Sequence, residues 1–229
     1  MERFRARVEA VERITDDIAI VYFRVNNPKF HCRPGQYVSV FFRSSRYPAG
    51  KAYSLASIPE ERLCSMAVKR IGKYSGKLYS LSPGKTFLCS SGYGHLNPKS
   101  SKSLVCFTGG IGIAPVWSII KSELEAEPEK RVRLYCSHRT IESIPFRLEL
   151  EKYEAAHEGL KVEYFITREV TTLPHHHKSR LSAESCVPLA LHDYTYLMCG
   201  SVDFVRDVWQ GLFRAGVKPE AMSAESFFE

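Results

Sequence analysis

Residues 106–117 read CFTGGIGIAPVW and place three glycines, Gly109, Gly110 and Gly112, between an apolar run and an Ala-Pro pair. A glycine cluster at such a junction indicates a backbone that something approaches closely. The spacing lacks the Gly-x-x-x-x-Gly-Lys-Ser/Thr of a phosphate-binding P-loop. It also departs from Gly-x-Gly-x-x-Gly, because Pro115 stands where the third glycine should be. The nature of the ligand therefore depends on the rest of the chain.

The segments after this loop alternate between strand-like and helix-like patterns. Strand-like runs are SLVCFTGG (103–110), RVRLYCS (131–137), KVEYFITR (161–168) and YTYLMCG (194–200). Helical patterns occupy 115–124, PFRLELEKYEAAHEG (145–159), with Gly159 as the expected stop, and VDFVRDVWQGLFRAGV (202–217). Strand–helix alternation predicts a parallel sheet with helices on both faces. The glycine loop then lies at the carboxyl end of the first strand, where such sheets bind anionic ligands.

The first hundred residues have a different pattern, with short strands and frequent turns. Strand-like runs are RARVEAVERI (5–14), IAIVYFRV (18–25), QYVSVFF (36–42) and LCSMAVKRI (63–71). Many short strands at close spacing predict a sandwich or an antiparallel barrel. The pattern changes near residues 97–103. We therefore expect two domains, at residues 1–100 and 101–229.

Composition excludes several classes of protein. The N-terminus is charged from its second residue, unlike a signal peptide, and no apolar run approaches the roughly 20 residues of a membrane span. The seven cysteines are scattered without a Cys-x-x-Cys pair, which argues against an iron–sulfur cluster, a zinc ribbon or a disulfide framework. An odd number of thiols suits a reducing compartment, so a cytoplasmic location is predicted.

The positive charge is concentrated in the first domain. Residues 1–100 contain 17 Lys and Arg against 7 Asp and Glu, whereas residues 101–229 contain 15 against 18. The absence of a basic helix or an RNA-recognition motif argues against nucleic acid as the partner. An anionic cofactor and an acidic protein partner both fit this charge, and a simple surplus of surface lysine is the open alternative.

Five separated motifs resemble, in order, those of the ferredoxin–NADP⁺ reductase superfamily. They are KAYS (51–54), GKYSGKL (72–78), GGIGIAP (109–115), MCGSVDFV (198–205) and AESFFE (224–229). Each motif is weak alone, but together they cover essentially the whole chain, and the bacterial-type short reductases are the nearest form. The resemblance implies an N-terminal antiparallel β-barrel that binds flavin, followed by an α/β parallel-sheet domain that binds a pyridine nucleotide.

The first two motifs supply the FAD contacts that the resemblance implies. In KAYS, Tyr53 would stack on the isoalloxazine ring and Ser54 would lie beside its N5 atom. Lys51 and Ala52 complete this segment, and Lys51 stands where the family has an arginine that grips the flavin phosphates. In GKYSGKL, backbone N–H groups around Ser75 and Gly76 would hold the FAD pyrophosphate, and Lys73 and Lys77 would add positive charge.

The other three motifs imply the nucleotide and catalytic residues. Gly109, Gly110 and Gly112 would cradle the nucleotide pyrophosphate. Cys199 would lie beside the nicotinamide C4 atom and Gly200 would leave room for that ring, although Ser201 stands where the family usually has proline.

The tail adds Glu225, grouped with Ser54 and Cys199 as the predicted catalytic residues. Phe227 of the same tail would cover the flavin face that the nicotinamide uses.

The choice of nucleotide depends on a possible 2′-phosphate. Arg139 follows one strand of the second domain, and Thr167 and Arg168 follow the next. Arginine is the usual partner of a phosphate. Similar NADP-using reductases have a Ser/Thr-Arg pair at the position of Thr167 and Arg168. NADPH is therefore the predicted donor, with surface charge as the alternative for both arginines.

These assignments predict an FAD-dependent NADPH reductase that works with an acidic ferredoxin or flavodoxin. The alternative is a flavin-binding electron-transfer or regulatory subunit of a larger complex, without reductase activity of its own. No metal site is predicted, because the adjacent histidines His175, His176 and His177 lack a carboxylate or cysteine at ligand spacing.

Overall fold

The computed structural model describes residues 2–42, 50–98, 103–171, 174–187 and 193–227. The N-terminal half forms a six-stranded antiparallel sheet in the order β4-β3-β6-β1-β2-β5. Its elements are β1 (Phe4–Arg13), β2 (Ile18–Val25), β3 (Tyr37–Phe41), β4 (Lys51–Ser54), β5 (Cys64–Lys69), α1 (Lys73–Tyr79) and β6 (Thr86–Cys89). We call this half the FAD-side sheet.

Alternation of apolar and polar residues builds this sheet. In β1, Phe4, Ala6 and Val8 point into the core while the arginines between them are exposed. Just beyond β4, the Ala56 N–H donates a 2.8 Å hydrogen bond to the Ser65 carbonyl of β5. This bond joins the two edges of the sheet, as expected for the predicted barrel.

The C-terminal half forms a six-stranded parallel sheet in the order β10-β9-β8-β7-β11-β12. Its strands are β7 (Ser103–Gly109), β8 (Val132–His138), β9 (Leu160–Ile166), β10 (His176–His177), β11 (Tyr194–Ser201) and β12 (Met222–Phe227). We call this half the NAD-side sheet. The central strand β7 is buried on both faces, which explains its continuous apolar run.

Helices cover both faces of the NAD-side sheet, as predicted. They are α2 (Ile113–Ala126), α3 (Arg147–Ala156) and α4 (Val202–Arg214). The α2 and α3 helices pack in one apolar cluster, and α4 packs in another through Val208 and Leu212.

One helix boundary differs from the sequence expectation. The helix expected over 145–159 ends at Ala156, three residues before Gly159. A Cβ atom at Gly159 would lie 2.4 Å from the Lys130 carbonyl oxygen, so close backbone packing, rather than a helix end, explains this glycine.

An apolar seam joins the two sheets. Ile20, Ala56, Ala67 and Leu96 of the first half belong to the same buried cluster as the residues of α2. The expected domain boundary at 100/101 stays a prediction, because residues 99–102 lie outside the described residues. Within the described ranges, no helix has the length and apolar character to cross a membrane.

Candidate functional site

A cleft of about 1230 Å³ lies between the two sheets. This volume exceeds the roughly 300–1,000 Å³ of a typical single-ligand pocket, as two dinucleotides would require. The FAD-side sheet contributes the wall around β4 and the start of α1, and the NAD-side sheet contributes the carboxyl ends of its strands. Predicted site residues on the wall are Lys51, Ala52, Tyr53, Ser54, Lys73, Ser75, Gly109, Gly110, Arg139, Thr167, Arg168 and Phe227.

The β4 strand presents Tyr53 and Ser54 to the cleft. Tyr53 is half-buried, and burial raises the pKa of its phenol well above the usual value, so the ring stays neutral. Lys51 and Ala52 are exposed at the start of the strand, where the cleft opens. The strand therefore offers a flat neutral ring beside a hydroxyl, which suits an aromatic cofactor.

Ser54 lines this cleft and contacts Glu225, whereas Glu225 and Cys199 are not among the described residues of its wall. The Ser54 Oγ atom donates a 3.2 Å hydrogen bond to Oε1 of Glu225. Glu225 on β12 is the register partner of Cys199 on β11. Burial raises the pKa of both side chains, although the bond from Ser54 lowers that of Glu225 and the nearby Glu225 raises that of Cys199 further. The three predicted catalytic residues thus form one group, and Cys199 is a neutral thiol.

The start of α1 is organised by Ser75. Its Oγ atom accepts hydrogen bonds from the backbone N–H groups of Ile71, at 3.0 Å, and Gly72, at 3.1 Å. Gly76 lies outside the cleft wall, and its own N–H donates to the Gly72 carbonyl within the helix. Lys73 and Ser75 thus face the cleft, whereas the predicted FAD contact of Gly76 stays a prediction.

The three glycines after β7 differ in what surrounds them. A Cβ atom at Gly112 would lie 2.2 Å from the Cys199 carbonyl oxygen, so this glycine lets the helix start pack against β11. A Cβ at Gly109 would lie 2.9 Å from the Phe204 ring. Gly110 has φ +54° and no atom within 4 Å of its Cβ position. Of these glycines, Gly110 leaves the most open space for a ligand.

Phe204 also explains Gly200. A Cβ at Gly200 would lie 2.7 Å from the Phe204 ring, which itself lines the cleft. The ring is held at the start of α4, where Ser201 accepts a 3.4 Å hydrogen bond from the Phe204 N–H as the N-cap. Packing within the protein thus requires Gly200, and its role towards the nicotinamide stays a prediction. Sequence analysis did not identify Phe204 as a site residue. The available signal was its position in the first turn of a helix that directly follows a strand.

Arg139, Thr167 and Arg168 lie together at the far end of the cleft. The Arg168 N–H donates a 2.9 Å hydrogen bond to the Arg139 carbonyl, which ties the ends of β8 and β9 together. The Glu169 Oε1 atom accepts a 2.5 Å hydrogen bond from the Ile141 N–H, and Glu169 is not among the described residues that line the cleft. The arrangement leaves two guanidinium groups at one end of the cleft.

His138 lies beneath these arginines and is fully buried. Burial lowers the pKa of its imidazole to about 4, so the ring is neutral at physiological pH. Its Nε2 atom has no hydrogen-bond partner among the described residues.

The charge of the cleft fits phosphate-bearing cofactors. Lys51, Lys69, Lys73 and Lys77 line it on the FAD side and Arg139 and Arg168 on the NAD side, and Asp17 is the only acidic residue among the described lining residues. Lys69, Asp17 and the aromatic Phe42 were not found by sequence analysis, because no motif marks them.

Two of the three adjacent histidines contact residues of β9. His176 stacks on Tyr164, and the His177 Nε2 atom lies 2.7 Å from the Glu163 carboxylate. Within the described ranges, no three His, Cys, Asp or Glu side chains are grouped as metal ligands.

Comparison with known families identifies two domains in this chain. Residues 5–97 match the family model of the oxidoreductase FAD-binding domain, and residues 106–210 match that of the oxidoreductase NAD-binding domain. The chain is 28% identical to the flavohemoprotein of Bacillus subtilis (strain 168), over 94% of this chain and 57% of that protein. It is 25% identical to the naphthalene 1,2-dioxygenase system ferredoxin–NAD(P)⁺ reductase component of Pseudomonas putida, over 98% of this chain and 69% of that protein. The chain thus spans little more than half of the first of these relatives.

The crystal structure of a ferredoxin NADP⁺ reductase from Neisseria gonorrhoeae with bound FAD and NADP has the same fold. It aligns with a TM-score of 0.84 and 19% identity over all of both chains. The protein described here belongs to the ferredoxin reductase-like superfamily, with an FAD-binding domain followed by an NAD-binding domain.

Proposed function

We propose that this chain is an FAD-dependent NADPH reductase that passes electrons between NADP(H) and a small one-electron carrier, either a ferredoxin or a flavodoxin. The observation that carries the proposal is the hydrogen bond from Ser54, on the wall of the cleft between the two domains, to Glu225, the register partner of Cys199. A residue of the flavin motif is bonded there to a residue of the final strand. The electron carrier would be a separate small protein, as the resemblance to the bacterial-type short reductases implies.

Bound FAD would supply the redox chemistry, because it accepts a hydride from a nicotinamide and releases electrons one at a time. The chain's own residues orient the reactants and control protons. Tyr53 offers a neutral flat face, and the Ser54 hydroxyl can exchange a hydrogen bond with a ring nitrogen. Glu225, whose pKa is raised, is linked to that hydroxyl and can hold a proton near it. Cys199 keeps this region uncharged, and Phe227 covers it until the nicotinamide enters.

The preference for NADPH rests on Arg139, Thr167 and Arg168. Two guanidinium groups at the ends of adjacent strands suit the 2′-phosphate of NADPH. Glu169 follows Arg168, but its carboxylate is bonded to the Ile141 N–H, and Glu169 is not among the described residues that line the cleft.

The charge of the FAD-binding half supports an acidic partner. Residues 1–100 have ten more basic than acidic residues, whereas residues 101–229 have three more acidic than basic. An excess of one sign over one domain steers a partner of the other sign during encounter.

A salt titration tests the acidic partner. Reduction of an acidic ferredoxin should slow markedly between low salt and about 0.5 M, because the Debye length falls to a few ångströms. A neutral quinone is the control, since its encounter is not steered by charge. Equal salt dependence for the ferredoxin and the quinone would refute steering.

The second candidate is a flavin-binding electron-transfer or regulatory subunit without independent reductase activity. It is favoured by two departures from the motifs of the family, Lys51 in place of an arginine and Ser201 in place of a proline. Purification of the chain alone separates the two. A yellow protein that transfers electrons from NADPH to a ferredoxin supports the reductase, and a yellow protein whose flavin NADPH does not reduce supports the subunit.

A further inference from the structure

Lys121 is a lysine buried where the two domains meet. It lies on α2, and its side chain is 2% exposed. Its Nζ atom contacts carboxylates from both domains: Glu61, between β4 and β5 on the FAD side, and Glu149 of α3 on the NAD side, at 3.5 Å. The Trp117 ring, one turn earlier on α2, lies 5.6 Å from the same Nζ atom.

A buried ion pair of this kind is better suited to fixing an arrangement than to adding stability. Removing an ammonium group from water is costly, and its attraction to a carboxylate in the interior often only offsets that cost. Apolar residues of similar volume would often serve equally well for stability alone. Burial also raises the pKa of Glu61, so its carboxylate depends on Lys121 for its charged form.

A second polar contact strengthens the same junction. The Gly35 N–H of the FAD-side half donates a 2.8 Å hydrogen bond to the Oγ atom of Ser118 on α2. Gly35 has φ +80°, and a Cβ atom there would lie 1.9 Å from the Leu96 carbonyl oxygen and 2.8 Å from Ile119. The two halves therefore pack so closely at this point that a side chain has no room.

The α2 helix connects this junction directly to the nucleotide loop. It begins at Ile113, immediately after the glycines, and Ala114 in its first turn lines the cleft. Seven residues separate Ala114 from Lys121, which is about 10 Å along a rigid helix. A shift of α2 at Lys121 is thus transmitted to the glycine loop opposite Tyr53 and Ser54.

We propose that Lys121 is a positioning residue that fixes the NAD-binding domain against the FAD-binding domain and so aligns the nicotinamide with the flavin. Its bond to Glu61 holds α2, and α2 holds the nucleotide loop at the distance that hydride transfer requires. The part of this proposal that concerns cofactor alignment rests on the reductase function proposed above. The part that concerns the packing of the two domains is independent of that function.

The chain contains a matched control in Lys130. This lysine is also buried, with a side chain 5% exposed, and also contacts two carboxylates, Glu123 and, at 3.4 Å, Glu127. Both of its partners belong to the NAD-binding half. Lys121→Met and Lys130→Met therefore remove the same group from equally buried sites, and only the first loses a contact between domains.

Two measurements on the FAD-loaded full chain test the proposal. Hydrogen–deuterium exchange should rise in Lys121→Met over residues 33–37 and 55–62, which face α2, and stay unchanged there in Lys130→Met. Flavin reduction by NADPH in a stopped-flow instrument should slow by about tenfold or more in Lys121→Met, because reacting groups tolerate little displacement. The nucleotide Kd should hardly change, since the binding residues remain.

Glu61→Gln, a conservative change on the other domain, provides the second variant if Lys121→Met does not fold. It should reproduce both effects more weakly. Unchanged exchange in Lys121→Met or Glu61→Gln, or equal effects in Lys130→Met, would overturn the proposal. If NADPH and NADH both fail to reduce the wild-type flavin, the reductase function fails, and the exchange measurement alone decides the role of Lys121.

Discussion

The Ser54 Oγ atom and the Glu225 Oε1 atom are 3.2 Å apart, in a hydrogen bond between residues 171 positions apart in the sequence. Ser54 ends β4 of the FAD-binding domain, and Glu225 lies on β12, the final strand of the NAD-binding domain. The bond therefore crosses the cleft at the point where both cofactors are expected to meet. Burial raises the pKa of the Glu225 carboxyl above its usual value, so its protonated form is more favoured here than in water.

Breaking this bond should slow the chemistry more than it weakens binding. Ser54→Ala and Glu225→Gln should each reduce the rate of flavin reduction by about 100-fold, the lower end of what a positioned proton-transfer group contributes. Stopped-flow absorption measures this rate, and the nucleotide Kd should hardly change. Ser57→Ala is the matched control, because Ser57 is a buried serine of the same domain that bonds to the Ser65 N–H and the Cys64 thiol and not to a carboxylate. Wild-type rates in Ser54→Ala would contradict the assignment.

Phe204 should contribute to nucleotide binding. Its ring lines the cleft and packs on Gly109 and Gly200, so a bound nucleotide passes beside it. Phe204→Leu should raise the nucleotide Kd by about 3–10-fold, the equivalent of a lost aromatic contact, and leave FAD affinity unchanged. Phe213→Leu, on the same helix but 60% exposed, is the control. Equal Kd values in the two variants would show that Phe204 only packs the domain.

Arg168 should discriminate NADPH from NADH. Arg168→Ala should weaken NADPH binding by about 1.5–3 kcal/mol, the scale of a charge-assisted hydrogen bond, and hardly affect NADH. Isothermal titration with both nucleotides measures this difference. Arg206→Ala is the control, because Arg206 is exposed and pairs with Asp203 and Asp207 on α4. Equal losses for both nucleotides would mean that Arg168 binds a group they share.

His138 should make stability depend on pH. Its pKa is about 4 when folded, against 6.5 as the ordinary value, so the unfolded chain binds more protons between these limits. The free energy of unfolding should therefore fall as the pH falls from 6.5 to 4, by roughly 3 kcal/mol from this residue, and its contribution is fully present above pH 6.5. Urea unfolding at several pH values should show a shallower fall for His138→Gln. Identical pH dependence in both proteins would contradict the burial of a neutral ring.

The architecture and the family could be predicted from the sequence. Periodicity separated an antiparallel half from a parallel half, and five ordered motifs identified the superfamily, because local patterns and turn residues carry this information. The placement of Ser54 near Glu225 followed from resemblance, not from periodicity, since no local rule joins residues so distant in the chain.

Other features of the site could not be predicted. Glycine spacing alone does not reveal whether a ligand or a side chain needs the room, and Phe204 proved to occupy the room beside Gly109 and Gly200. The contact of Lys121 with Glu61 depends on how two domains pack, which neither residue indicates by itself.

In the proposed reaction, the chain transfers a hydride from NADPH to its own bound FAD. Anaerobic addition of one equivalent of NADPH to the purified, FAD-loaded chain measures this step, with the visible absorption of oxidised flavin as the readout. We expect rapid loss of that absorption with NADPH and a slower loss with NADH. Unchanged absorption with both nucleotides would rule out the reductase.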